Sequence, residues 1–135
     1  MKLDYVFVNT PADSEKTLEL HALLQSYGFT GYVLDRTTET VDDACEKVLH
    51  VLVCVSDNIC NDTFLSLKSQ ILQKWFKGKP FRLIPVYLQP KRDLSDEVYS
   101  YLYGLTSFNG FHVSSRYFEE DVRKQFTSIR NMQLL

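Results

Sequence analysis

Glycine is scarce in this 135-residue chain: the five present (Gly28, Gly31, Gly78, Gly104, Gly110) form neither a GxGxxG nor a Walker pattern after any apolar segment. A backbone cradle for nucleotide phosphates needs glycines at those spacings, because only they let the chain approach the pyrophosphate, so no such cradle is expected. Cysteine is scarce too. Cys45, Cys54 and Cys60 are odd in number, and their spacings of nine and six positions match no zinc pattern. Three reduced thiols, no metal and a cytoplasmic location are the expectation. The longest uninterrupted aliphatic stretch is "VLVCV" at 51–55, far short of the roughly 20 residues of a spanning helix. The opening "MKLDYVFVNT" is broken by Asp4, unlike the core of a signal peptide, and reads as a first strand. Neither charge dominates. Fifteen basic residues stand against seventeen acidic ones, a net charge of -2, which gives no electrostatic reason to expect nucleic acid or membrane contact by this domain.

What the chain does have is 44% hydrophobic residues, 13% of all residues being aromatic, enough for one core, and no linker or repeat. One domain over 1–135 is expected. Strand-like and helix-like segments alternate along it. "LDYVFVN" is rich in β-branched and aromatic residues, and the next segment has Thr10 as N-cap, Pro11 at the first helical position and Gly28 as its stop. Leu20, Leu23, Leu24 and Tyr27 then read as one buried helical face. "GYVLD" is a second strand, followed by the polar connection "DRTTET" and a short helix capped by Thr40. "HVLVCVSD" is nearly all apolar, as in a strand buried on both faces, and is placed at the centre. A helix over 62–76 follows, ended by Gly78 and Pro80, with Trp75 and Phe76 read as core. "FRLIPVYL", a helix capped by Ser95, the weak strand "FNGFHV" and a final helix complete five strands and five helices. Tyr99, Tyr101 and Tyr103 cannot share one helical face, so at least one of them is expected to be exposed.

Short βα connections force parallel strands, and right-handed crossovers put helices on both sides. The predicted fold is α/β, a flavodoxin-like doubly wound sheet of five parallel strands. Ligands of such folds bind beyond the carboxyl ends of the strands, after Asn9, Leu34, Val55 and Leu88. The chemistries tested there find little support. Asp57 follows the third strand, but Asn9, Thr10 and Pro11 follow the first, so a phospho-accepting acidic cluster is incomplete. His21, His50 and His112 are scattered and read as ordinary surface or half-buried histidines. Ser56 lacks the glycines of a nucleophile elbow.

Three segments together resemble the Toll/interleukin receptor (TIR) domain over essentially the whole chain. "YVFVNT" is similar to the family's first box, D-V-F-I-S-Y, with Tyr5 in place of the acid. "SDNICNDTFL" resembles S-x-N-Y-x-x-S-x-W-C without a gap: Ser56, Asn58 and Ile59 align, Phe64 stands for Trp and Leu65 for Cys. "RLIPVYL" resembles the L-I-P-I strand. The second box, R-D-x-x-P-G, is here "DRTTETVDD" without Pro or Gly, and the third, Phe-Trp, is Phe111-His112.

The resemblance implies a function and a departure from it. Enzymatic TIR domains cleave NAD with a glutamate three residues after the Trp-Cys pair, and that position here is Lys68. No Glu occurs between Glu46 and Glu97. A lysine repels the ribosyl cation that a carboxylate would stabilise. The expectation is a domain with no catalytic residue and no cofactor, which associates weakly with itself or with other TIR domains in innate-immune-type signalling. The resemblance places the contact on the loop Arg36, Thr37, Thr38 and Glu39, with Phe64 and Lys68 of the third helix as a second face. The alternative is an NAD-cleaving or nucleotide-binding domain that uses Asp57 or Glu39.

Overall fold

The computed structural model describes residues 1–78 and 81–133, so Pro80 lies outside the described residues. Five strands run β1 (Leu3–Val8), β2 (Gly31–Val33), β3 (Val48–Val55), β4 (Arg82–Tyr87) and β5 (Phe111–His112). They form one sheet in the order β2-β1-β3-β4-β5, every pair parallel. The helices are α1 (Ser14–Ser26), α2 (Val41–Lys47), α3 (Asp62–Phe76), α4 (Asp96–Tyr101) and α5 (Phe118–Gln133). The doubly wound α/β arrangement is the one the sequence predicts.

Strand β3 is central because its composition permits nothing else: all eight residues are buried, which requires a neighbouring strand on each edge and a helix layer on each face. Successive side chains of a strand point to opposite faces. Val6, Val8, Val51, Val53 and Val55 thus enter one core layer with residues of α2, α3 and α4. Tyr5, Phe7, Leu52, Cys54, Ile84 and Val86 enter the other, with α1 and α5. Gly31 is dictated by the β1–β2 contact, since a Cβ there would lie 2.4 Å from the Tyr5 carbonyl oxygen.

Helix ends follow local chemistry. Thr40 Oγ1 accepts from Asp43 N at 3.1 Å, and Asn61 Oδ1 accepts from Phe64 N at 2.9 Å; each satisfies an amide that the first helical turn leaves open. Gly28 and Gly78 end α1 and α3 with φ of 92° and 80°, a conformation costly for any residue with a Cβ.

Several expectations are corrected. Pro11 opens a 3-10 turn (Pro11–Asp13), and α1 begins only at Ser14. Thr17, Leu20 and Leu24 are its buried residues, while Leu23 is exposed, because its azimuth falls outside the stripe that three turns of helix can press on the sheet. On α3, Phe64 and Ile71 are buried, and Leu67 and Trp75 pack against the same core. Phe76 stands about 100° further around the helix and is 75% exposed, so it is not core. Ser95 occupies the N-cap position of α4 without a side-chain bond to it. His50 is fully buried rather than at the surface or half-buried. Among the three tyrosines, Tyr103 is exposed at 82%.

Candidate functional site

The carboxyl ends of β1, β2 and β3 meet around a residue that the sequence does not single out. Asp13, only 2% exposed, accepts from Ser56 Oγ at 2.8 Å, from Asn58 Nδ2 at 2.9 Å and from Thr10 Oγ1 at 3.4 Å. Ser56 Oγ in turn accepts from Asn58 N at 3.0 Å. The Ser-x-Asn pair after β3 is therefore explained by a buried carboxylate: the two side chains supply the donors without which Asp13 could not leave water. Ser56 is 3% exposed and donates into that carboxylate, which leaves it no access to a substrate as nucleophile. Beside this network, Asp35 accepts from Ser14 Oγ at 2.6 Å and from Asn9 Nδ2 at 3.1 Å.

The loop after β2 leaves Arg36, Thr37 and Thr38 exposed, as a contact surface requires. It is not unstructured. Thr37 Oγ1 donates to the Leu34 carbonyl at 2.8 Å and accepts from Glu39 N at 3.2 Å. Glu39 turns inward, accepting from the Tyr32 hydroxyl at 2.5 Å and from the Lys47 ammonium. The Lys47 bond, then the Tyr32 bond, hold its carboxyl below the usual range. Burial, followed by the Glu39 carboxylate, pushes the Tyr32 hydroxyl up. Of the four predicted loop residues, three face solvent and the fourth anchors the loop to α2.

The third-helix face is corrected in part. Phe64 is 2% exposed: it faces the sheet, and Leu65 stands on the outer side in its place. Lys68 is half-buried, not the freely solvated residue its position suggests. Its Nζ donates to the Tyr101 carbonyl at 3.0 Å, at the carboxyl end of α4, where the helix dipole favours a cation. Partial loss of solvent lowers its pKa from the ordinary lysine value. The two alternative acids are also engaged. Glu39 is anchored as above, and Asp57 accepts from Ser95 N at 2.9 Å and from Gln89 Nε2 at 3.1 Å, bonds that lower its pKa in that order.

Buried thiols resist ionisation: desolvation pushes Cys45 up to about 11 and Cys54 up to about 12, and all three cysteines are free. Among the described residues, no group of three or more His, Cys, Asp or Glu is placed to hold a metal, and no helix is long and apolar enough to cross a membrane.

No protein-family model and no curated protein matches the sequence. Solved structures do. The chain is similar to the TIR domain of the Toll-related receptor TRR-2 from Hydra magnipapillata, with a TM-score of 0.64 and 18% identity over 93% of this chain and 99% of that one. It is also similar to the TIR domains of the activated Roq1 resistosome that recognises the pathogen effector XopQ, with a TM-score of 0.62 and 14% identity over the same shares. The fold is that of a TIR domain.

Proposed function

We propose that this domain is a non-enzymatic signalling module that associates with other TIR domains, itself or a receptor or adaptor, in innate-immune-type signal transduction in the cytoplasm. The observation that carries the reading is Lys68. It stands where NAD-cleaving relatives are expected to have a glutamate, and its ammonium is bonded to the Tyr101 carbonyl at 3.0 Å. A positive charge there opposes the charge that develops as nicotinamide departs, and electrostatic stabilisation is usually the largest single contribution to such catalysis. The assembled TIR domains of the resistosome support association as the general mode of action. The exposed Arg36, Thr37 and Thr38 supply the contact, and the few apolar anchors among them suit a weak one.

The test has two arms. Incubation of the purified domain with NAD is expected to release no nicotinamide above background, and light scattering is expected to show concentration-dependent association that weakens on Arg36→Glu substitution. Robust nicotinamide release, lost on changing Asp57 or Glu39, would instead establish the enzymatic alternative.

A further inference from the structure

The near-neutral total conceals a strong local asymmetry. From Thr63 to Arg92 the chain has no Asp or Glu and seven Lys or Arg. Lys79 lies outside the described residues, and the fold places the other six differently. Lys68 is bonded to the Tyr101 carbonyl, Lys74 pairs with Asp42 and Glu46, and Lys91 and Arg92 lie beyond the carboxyl end of β4. Lys77, just after α3, and Arg82, at the start of β4, are at the opposite end of the sheet. Both are exposed, and neither side chain has an ion-pair partner among the described residues.

The same end carries the two most exposed aromatic side chains of the described residues, Phe76 at 75% and Tyr103 at 82%. Leu72 links the segments that carry them. Leu72 lies one turn before Phe76, and its Cδ1 would be 2.9 Å from a Cβ on Gly104, the neighbour of Tyr103. Trp75 joins this surface to the cations: its ring centroid is 5.3 Å from that of Phe76 and 5.0 Å from that of Phe108. Trp75, Phe108 and Arg82 line one cleft of about 300 Å³.

We propose that this end of the molecule, presenting Phe76, Lys77, Arg82 and Tyr103, docks on an anionic lipid bilayer. Exposed aromatic rings flanked by Lys and Arg match the physics of the membrane interface, where rings settle at headgroup level and cations meet lipid phosphate and carboxylate. A protein partner would be anchored by side chains seated in desolvated pockets. Here Phe76 and Tyr103 stand out from the surface, which a deformable headgroup layer accommodates. The contact is peripheral and reversible, with few cations and shallow insertion, and it is independent of the Arg36 loop.

Flotation of the purified chain with vesicles tests it. Binding is expected to mixed phosphatidylcholine and phosphatidylserine vesicles, not to phosphatidylcholine alone, and to fall as salt is raised. Lys77→Glu and Arg82→Glu are each expected to lower partitioning by about fivefold or more, and Phe76→Ser with Tyr103→Ser to lower it further, with unchanged thermal melts. Lys91→Glu with Arg92→Glu, beyond the other end of β4, is the control and is expected to leave binding close to that of the unmodified chain. The proposal is overturned by equal binding to neutral vesicles or by none. It is equally overturned if the Phe76 and Tyr103 substitutions abolish self-association while vesicle binding is unaffected.

Discussion

The Lys68 ammonium donates to the Tyr101 carbonyl at 3.0 Å and so ties α3 to the end of α4. A residue that the family resemblance aligns with an acid is, in the fold, a strut between two helices. Lys68→Glu should therefore not restore NAD cleavage. It should lower stability by about 1 kcal/mol or somewhat more, because a donor is lost and a negative charge meets a helix carboxyl end. Thermal denaturation should show a decrease of a few degrees, about 2–6 °C, with nicotinamide release still at background. A more stable, active variant would refute both the role of the strut and the electrostatic reading.

The Asp13 network should be cooperative. Asp13→Ala leaves the Ser56 and Asn58 donors unsatisfied and should cost about 2–4 kcal/mol in urea unfolding. Ser56→Ala removes one donor and should cost about 1–2 kcal/mol. A double-mutant cycle is expected to give a coupling above about 0.5 kcal/mol; additive losses would mean that the two side chains act separately.

Acid should weaken the domain in two steps. His50 is fully buried, its Nδ1 2.9 Å from the Asp4 carbonyl oxygen, and desolvation lowers its pKa from 6.5 to about 4. Between those values the unfolded chain binds a proton that the folded one refuses, so stability falls as pH drops from 6.5 towards 4, by on the order of 3 kcal/mol in full. Asp4 adds a second loss. Burial alone would raise its pKa, but the Arg130 and Thr30 bonds outweigh that and hold it below 3.8, so its contribution, present above the unfolded value, disappears at still lower pH. Urea midpoints measured across this range should flatten between pH 6.5 and 4 in His50→Gln; an unchanged slope would assign the loss elsewhere.

Charge reversal in the β2 loop should separate two roles. Arg36→Glu touches no internal contact and should reduce association without moving the melting temperature. Glu39→Lys breaks the bonds to Tyr32 and Lys47 and should lower the melting temperature as well. Differential scanning fluorimetry beside light scattering distinguishes them, and identical melts would show that Glu39 does not anchor the loop.

Much of this molecule is legible in one dimension, and the reason is that the relevant signals are local. The unbroken apolar run of β3, the alternation of strand and helix segments, the cap at Thr40 and the stops at Gly28 and Gly78 depend on neighbours within a few positions. They suffice for an α/β sheet with β3 at its centre. The reading of Lys68 in place of a glutamate is of another kind, resting on a family resemblance along one motif.

Tertiary structure decided what those residues touch. Asp13 and Ser56 are 43 positions apart, Lys68 and Tyr101 33 apart, and no periodicity announces that either pair meets. The inward turn of Phe64 and the outward turn of Phe76 were decided in the same way. Both are aromatic residues of one helix, and only the direction from which the sheet approaches α3 sends one into the core and leaves the other in water. The sequence by itself determined the order and kind of elements, because backbone hydrogen bonding and side-chain period are short-range. The sites were decided by packing, because hydrogen bonds and desolvation act between whatever the fold brings within a few ångströms.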